Sequence, residues 1–326
     1  MAYETGTCTT QQDFLNKLQT FLASEGWTVD DWDTAEKELA LHKSTVYVSF
    51  RWDATATTGG ISVHHALGFT GGAHPGYHLH DSGNGAKTGS PIVSQRRLSR
   101  VGNAFQNYWI FAGTTFCHVV LEYLPGLYRH LSFGILEKMG TWTGGEYAAG
   151  HVWETDVNAI DDPRDTRHTL LFDGANTNSF TEGATIHADG LPGEPSANTQ
   201  FVVIWAGGSS VGNDSDGYAR GYGIGGMRDG FYQNALGWIR ANPNSGYVPL
   251  IPIQVWYVPD ATGVADWRLL GYTPDMRLVN IGNMVAAQEF TVGADTWKVF
   301  PWTRKQYLLA NAEESWNGGI AYKKVV

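Results

Sequence analysis

The sequence predicts a mainly β protein with an α+β beginning. We expect an N-terminal amphipathic helix packed on a sheet, followed by the strands of a β-sandwich or open barrel with long Gly-rich loops. The first observation is the composition, since 326 residues include 40 Gly, 13 Trp, 15 Tyr and 14 Phe. Aromatic strands joined by glycine-containing turns produce such a mixture. The second is helical periodicity near the start, and the third is strand-like alternation after it.

The helix is predicted between Thr10 and Gly26. Its apolar residues recur at helical spacing at Phe14, Leu18, Phe21 and Leu22. Thr10 is a good N-cap with Asp13 three residues on, and Gly26 fits the residue after a helix C-terminus.

Strands are predicted next, over residues 27–30, 38–42 and 45–52. In the last of these, Val46, Val48 and Phe50 share one face, which is typical of a half-buried strand. Residues 53–99 are rich in Gly, His and Ser and show little periodicity, so we expect a long loop there.

The centre of the chain predicts three consecutive strands. Residues 107–112 are followed by a turn at Ala112-Gly113-Thr114, then by a long apolar strand, and Pro125-Gly126 leads into a third strand that ends near Leu136. Residues 137–200 and 207–230 read mainly as loops, with a buried strand at residues 201–205.

The last hundred residues predict a series of short strands separated by turn residues, as in a sandwich or open barrel. These strands are Tyr247–Tyr257, Trp267–Gly271, Met276–Val279, Glu289–Val292 and Trp297–Pro301. A division into residues 1–200 and 201–326 is one hypothesis, and a single domain is the other.

Charge and cysteine content restrict the partners and the compartment. The formal net charge of −10 argues against direct binding to nucleic acid, because phosphate binding needs a basic surface. The two cysteines, Cys8 and Cys117, do not suggest a disulfide framework, so we expect synthesis in a reducing cytoplasm. No signal peptide or membrane span is expected.

His74, His78, His80 and Asp81 form the densest cluster of potential metal ligands. Two histidines at i and i+2 on a strand point to one face and can share a metal ion. Their neighbours are Gly, Pro, Ser and Asn, which favour a polar loop over a pre-organised site, so no cofactor or metal is predicted.

Two further motifs resemble ligand-binding loops without their context. Residues 221–226 match G-x-G-x-x-G, but no strand directly precedes them and Arg228-Asp229-Gly230 disfavours a following helix. Residues 213–217 resemble the start of a calcium loop, but the distal Glu of an EF-hand is missing. We therefore interpret both as turns.

Acidic and aromatic residues between positions 142 and 156 allow two interpretations. Glu146, Glu154 and Asp156 lie beside Trp142 and Trp153, a mixture that glycosidase clefts use. The same aromatic residues also suit the core or an interface. We predict no catalytic residue. The interface candidates are Trp142, Tyr147, Trp153 and Tyr222.

Several segments, in order, resemble a family of virion structural proteins from tailed bacteriophages. The helix of residues 14–27 is followed by two strands, and the centre carries Tyr108–Ala112, Val119–Glu122 and Tyr128–Gly134. At the end, residues 247–253, 269–271 and 297–300 continue the likeness. The chain departs from the family pattern at Gly113 and at residues 114–116, which leaves the implied fold unchanged.

The resemblance implies a non-enzymatic component of the virion, made in the host cytoplasm and assembled with other virion proteins in multiple, symmetric copies. Its expected position is the tail, baseplate, collar or head–tail junction. Alternatives are a receptor- or glycan-binding virion module, a capsid decoration protein, and a virion-associated hydrolase.

Overall fold

A computed structural model describes thirteen segments of the chain. They are residues 2–53, 60–66, 68–69, 96–97, 107–150, 184–189, 202–204, 220–223, 249–258, 268–301, 307–308, 315–316 and 318–324. The first half contains β1 (Ala2–Gly6), α1 (Gln11–Ser24), β2 (Thr28–Asp33), β3 (Glu38–Lys43), β4 (Val46–Asp53), β5 (Gly60–Ala66), β6 (Arg96–Arg97), β7 (Asn107–Ala112), β8 (Phe116–Leu124), β9 (Leu127–Ile135), β10 (Glu137–Lys138) and β11 (Thr143–Gly150). The second half contains β12 (Ala184–Asp189), β13 (Val202–Ile204), β14 (Arg220–Gly223), β15 (Ile251–Val258), β16 (Arg268–Asn280), β17 (Glu289–Val292), β18 (Asp295–Pro301), β19 (Tyr307–Leu308), β20 (Ser315–Trp316) and β21 (Gly318–Lys324). The prediction of a mainly β protein with an α+β beginning is confirmed.

The predicted helix and both of its caps are confirmed. The side chain of Thr10 accepts a hydrogen bond of 3.0 Å from the backbone N–H of Asp13. At the other end Gly26 has a φ of 81°, and the N–H of Trp27 donates to the carbonyl of Leu22. Together with the bond from Gly26 to Ala23, this is a Schellman motif, which satisfies carbonyls at the end of the helix.

The centre of the molecule is an antiparallel sheet of seven strands in the order β1-β7-β8-β9-β11-β12-β13. Strands β7, β8 and β9 are the three strands predicted for the centre of the chain. Nearly every residue of β7 and β9 is buried, on both faces of the sheet. A strand covered on both sides needs apolar residues at successive positions, which explains the long apolar run in this part of the sequence.

One face of the central sheet is covered by α1 and a five-stranded sheet of order β2-β3-β4-β5-β6. The buried side chains at this contact form a single apolar cluster. It includes Phe14, Leu18, Leu22, Leu39, Leu41, Val48, Phe50, Ile110, Val119 and Phe133. We call this contact the helix-side core.

The opposite face is covered by a second seven-stranded sheet, of order β14-β15-β16-β21-β18-β17 with β10 paired to β16. We call it the C-terminal sheet. Its contact with the central sheet includes Trp109, Phe111, Val120, Tyr147, Ile253, Val255, Met276, Leu278, Phe300 and Tyr322. A smaller cluster around Trp297 lies on the outer side. The sheets of the protein include a curled half-barrel.

Several strands lie where the sequence predicted loops. Strand β5 falls within residues 53–99, β11 and β12 within residues 137–200, and β14 within residues 207–230. In β11, Gly144 and Gly145 have φ values of 100° and 109° and the register shifts between Gly144 and Tyr147. A glycine-rich segment with a bulge has no local alternation, so its pairing with β9 and β12 defines it as a strand.

The predicted C-terminal strands are present, with two of them joined into one, and the structure adds β19, β20 and β21, which were not predicted. The two strands predicted for Trp267–Gly271 and Met276–Val279 are one strand, β16. One edge of β16 pairs with β15 on both sides of Pro274 and Asp275, with a register shift between them. The other edge pairs with β10 before this point and with β21 from Met276 onward.

Described strands on either side of residue 200 pair with each other. Ala184 of β12 pairs with Ile204 of β13 across that position. The core around Tyr147 and Tyr322 also combines residues from before and after it. Within the described residues, the two halves therefore share one sheet and one core.

Both cysteines, Cys8 and Cys117, are buried free thiols in the helix-side core. No helix in the described part of the chain has the length and apolar character needed to cross a membrane.

Candidate functional site

The candidate site is a group of polar side chains buried between the central sheet and the C-terminal sheet. His118 in β8 is the cross-strand partner of Ser132 in β9, and His130 is the partner of Val120. Tyr147 reaches the same group from β11 and Tyr322 from β21. All five polar side chains are completely buried.

His118 lies in a continuous chain of hydrogen bonds. Its Nε2 atom is 2.7 Å from the carbonyl oxygen of Pro274, and its Nδ1 atom is 2.7 Å from Oγ of Ser132. Because a carbonyl oxygen only accepts, Nε2 carries the proton and Nδ1 accepts from the Ser132 hydroxyl. Tyr147 must then donate to Ser132, at a distance of 2.8 Å.

His130 repeats this arrangement one strand away. Its Nε2 atom is 2.9 Å from the carbonyl oxygen of Pro301, and its Nδ1 atom is 2.7 Å from the hydroxyl of Tyr322. The same reasoning places the proton on Nε2 and makes Tyr322 the donor. Each histidine thus connects the central sheet to a proline carbonyl of the C-terminal sheet.

The carbonyl of Pro274 is available because the backbone of β16 is interrupted there. The next residue, Asp275, has a φ of 48°, which few non-glycine residues adopt. Pro274 lies within the register shift of the β15 ladder, between Tyr272 and Arg277, and before the β21 ladder begins at Met276. In the described strands no ladder pairs Pro274, so its carbonyl is left to accept from the imidazole.

Burial controls the protonation of this group. Desolvation lowers the pKa of His118 to about 4 from an ordinary 6.5, and the bond to Pro274 opposes this only in part. Burial also raises the pKa of the Tyr147 and Tyr322 hydroxyls. At neutral pH His118, Tyr147 and Tyr322 are therefore uncharged.

A hydroxyl donating to an imidazole, with the second imidazole nitrogen fixed by a carbonyl oxygen, also occurs in activated serine nucleophiles. Here the side chains of Ser132 and His118 are 0% exposed. Within the described part of the chain, neither side chain can contact a substrate. The hydrogen bonds of this pair instead join the central sheet to the C-terminal sheet.

Glu38, in β3 of the five-stranded sheet, is a second group with a shifted pKa. Burial raises its pKa to about 7, and neighbouring Asp31 and Glu36 act in the same direction, while Arg51 opposes them. Nearby, the rings of Trp32 and Trp52 stack with centroids 5.2 Å apart. This carboxyl changes its charge near neutral pH.

The structure places the predicted site residues in different environments. Tyr147 is fully buried and Trp142 is 7% exposed, with its Nε1 donating to the carbonyl of Met139. Both side chains belong to the apolar cluster between the central sheet and the C-terminal sheet. Tyr222 lies in β14, where its backbone pairs with Trp256. Trp153 lies outside the described residues.

The candidate ligand and acid residues are also accounted for. His74, His78, His80 and Asp81 lie outside the described residues, as do Glu154 and Asp156. Glu146 is buried in β11. Among the residues that the structure describes, no group of three or more His, Cys, Asp and Glu is arranged to hold a metal ion.

His118, Ser132, His130 and Tyr322 were not predicted as site residues. The sequence did contain a signal for His118, Ser132 and His130, because these polar residues interrupt otherwise apolar strands that were predicted for the centre of the chain. A polar side chain in such a strand needs a buried partner.

No protein-family model matches the chain, and no curated protein sequence matches it.

Proposed function

We propose that this chain is a non-enzymatic structural component of a tailed-phage virion, which assembles through protein–protein contacts in the tail, baseplate, collar or head–tail junction. The proposal rests on the position that the resembling segments occupy in the fold. Tyr108–Ala112, Val119–Glu122 and Tyr128–Gly134 belong to the adjacent strands β7, β8 and β9. The likeness therefore concerns the strands around which both other layers pack.

The layered core supports the same proposal. A subunit of a particle transmits force between neighbours, so it benefits from sheets that are fixed to each other. The central sheet is held by apolar clusters on both faces and by polar contacts from His118 and His130 to the C-terminal sheet. The negative charge of the chain favours solubility before assembly.

Quantitative mass spectrometry of purified virions tests the proposal. We expect the chain in a low multiple of three or six copies per particle, as closed ring symmetry requires. Hundreds of copies would support a capsid decoration protein instead. Absence from the particle would refute a structural role.

A complementation experiment tests which part of the chain assembles. We expect deletion of residues 72–88, which lie outside the described residues, to leave a folded protein that no longer enters particles. A Gly/Ser replacement of the same length is the matched control for chain length. Normal incorporation of both variants would contradict this assignment, and glycan binding by the intact protein would favour the receptor-binding alternative.

A further inference from the structure

Strand β17 is an outer edge of the C-terminal sheet. In the described part of the chain it pairs with β18 and with no other strand. Glu289, Thr291 and Val292 are exposed, and Phe290 is half-buried. Solvent therefore reaches β17 along its whole length.

The edge strand β2 of the five-stranded sheet shows how such an edge is usually protected. Charges, prolines and bulges keep other strands from pairing with an open edge. Three aspartates, Asp30, Asp31 and Asp33, lie in β2, and its register with β3 shifts between Val29 and Asp31. By contrast, β17 contains no proline and no lysine, and its register with β18 is regular. A further strand can therefore pair with β17.

The backbone of β17 directs two residues away from β18. The carbonyl of Gln288, just before β17, accepts a 3.0 Å hydrogen bond from β18. Hydrogen-bonding direction alternates along an antiparallel strand. Phe290 and Val292 are therefore directed at β18, and Glu289 and Thr291 are directed outward. The N–H and C=O groups of these two outward residues are the ones that a further strand would bind.

Exposed valines lie at both ends of this edge. Val292, at the end of β17, is 50% exposed, and Val285 is 66% exposed. The N–H of Val285 donates to Oε1 of Gln288, and its carbonyl accepts from the N–H of Gln288. Val285 is thereby fixed beside the residue that precedes β17. The surface is an open backbone edge with an apolar side chain at each end.

The backbone of this edge is complementary to itself. A two-fold axis through Phe290, perpendicular to the sheet, places two copies of β17 side by side and antiparallel. Glu289 of each copy then lies opposite Thr291 of the other. These are the two residues directed outward, so they form the hydrogen-bonded pairs of the new ladder.

The same two-fold axis also covers the exposed valines. It places Val292 of each copy opposite Gln288 of the other, and Val285 lies beside Gln288. The apolar side chain at one end of the edge therefore meets the apolar side chain at the opposite end of the other copy. A second copy of the chain is the partner that fits this arrangement.

The charges on β17 are compatible with such a pair. Oε1 of Glu289 lies 2.8 Å from Lys298 and 3.0 Å from Lys324. Within one copy, Thr291 is in register with Thr296, and Thr296 with Lys324. The row across the contact therefore runs from Lys324 of one copy to Glu289 of the other, and the two glutamates do not face each other. Opposite charges along this row favour the pairing, although each copy has a net charge of −10.

We propose that two copies of the chain associate through β17 about a two-fold axis, which joins their C-terminal sheets into one continuous antiparallel sheet. In a virion, this contact combined with a three-fold ring gives six copies rather than three. That copy number rests on the function proposed above, whereas association of the purified chain does not. Absence from virions and failure to associate are therefore separate results.

Sedimentation velocity of the intact purified chain, from about 1 μM to about 1 mM, measures the association. We expect dimers towards the upper end of this range, because a short strand forms a small contact. A wild-type chain that stays monomeric throughout the range would overturn the proposal.

Two variants of β17 show whether this edge forms the dimer. Thr291→Pro removes an outward N–H and leaves the ladder to β18 intact. Val292→Lys adds a charge at an exposed end and keeps the fold even if the proline disturbs the hairpin. We expect each variant to weaken the dimer at least about tenfold. Met139→Lys adds the same charge at a residue that is 49% exposed between β10 and β11, and is expected to change nothing. Equal association of all variants would place the contact elsewhere and refute the role of β17.

A cysteine on the axis tests the register. In Phe290→Cys two thiols face each other at a non-hydrogen-bonded pair, where Cα atoms are roughly 4.5 Å apart and a disulfide can form. Oxidised glutathione is expected to link these chains at least about tenfold faster than those of Val292→Cys, whose thiols lie at opposite ends of the contact. The native Cys8 and Cys117 are buried and do not compete. Equal rates, or faster linkage through position 292, would overturn the two-fold arrangement.

Discussion

Nδ1 of His118 and Oγ of Ser132 lie 2.7 Å apart on adjacent strands, with the serine hydroxyl as the donor. The pair lies in the row of side chains that faces the C-terminal sheet, and the other nitrogen of the same imidazole binds Pro274, 156 residues further along the chain. A contact between neighbours in one sheet is thereby coupled to a contact between sheets.

Ser132→Ala tests this coupling. The substitution removes the hydroxyl that donates to Nδ1 of His118 and accepts from the Tyr147 hydroxyl. We expect a loss of about 2 kcal/mol in the free energy of unfolding, since leaving the buried Nδ1 of His118 without this donor costs roughly 1–3 kcal/mol. Urea denaturation at neutral pH measures this loss.

The control is Tyr147→Phe, made alone and combined with Ser132→Ala. It removes the hydroxyl that donates to Ser132, so the double variant is expected to lose less than the sum of the two single losses, by about 1 kcal/mol. Strict additivity would mean that Ser132 and Tyr147 do not share a hydrogen bond.

The pH dependence of stability follows from the lowered pKa of His118. The unfolded chain takes up the proton near pH 6.5 and the folded chain only near pH 4. The unfolded state therefore binds more protons between these values, and stability falls as the pH decreases through that window. The difference between the two pKa values corresponds to a loss of about 3 kcal/mol in the free energy of unfolding across this window.

His118→Gln is expected to remove this part of the pH dependence. Urea unfolding of the wild type and the variant at about pH 7 and about pH 4 measures it, because the groups other than His118 titrate in both proteins. The relevant quantity, for each protein, is the difference in the free energy of unfolding between the two pH values. An equal decrease in both would show that other groups cause the acid sensitivity.

The sequence was sufficient for the elements whose signals are local. The helix cap at Thr10, the C-terminal Gly26 and the alternation of Val46, Val48 and Phe50 each lie within a few residues, and all three predictions are confirmed. Strand β11 was missed because Gly144 and Gly145 have no side chains to alternate. Its pairing with β9 and β12 supplies what the local pattern lacks.

The site was missed for a related reason. His130 has its acceptor at Pro301, 171 residues away, and β21, which carries Tyr322, was not predicted as a strand. The polar residues themselves were visible in apolar strands, but their partners depend on how the C-terminal sheet stacks. Stacking is a property of three layers together, and no single segment encodes it.

The N-cap of α1 gives a separate test of local stability. Thr10→Ala leaves the N–H of Asp13 without its side-chain acceptor. We expect a loss of about 1 kcal/mol in the free energy of unfolding. Thr20→Ala is the control, since Thr20 is exposed in the middle of the helix and its hydroxyl donates to the Asn16 carbonyl. This variant is expected to change stability by less than about 0.5 kcal/mol. Similar losses in both would contradict the assigned cap.

Alanine substitutions at Gly134 in β9 and at Gly126, which precedes β9, separate the cost of backbone strain from the cost of a steric clash. Both have positive φ, 148° at Gly134 and 74° at Gly126. A Cβ atom at Gly126 meets nothing within 4 Å, whereas at Gly134 it would lie 2.5 Å from the Thr115 carbonyl oxygen and the Phe116 Cα. We expect Gly126→Ala to lose about 1 kcal/mol from backbone strain alone. Gly134→Ala is expected to lose more than about 3 kcal/mol, because the backbone of β8 must also move. Urea denaturation of the two variants compares these losses directly, and equal values would mean that β8 and β9 do not approach each other as closely as Phe116 and Gly134 indicate.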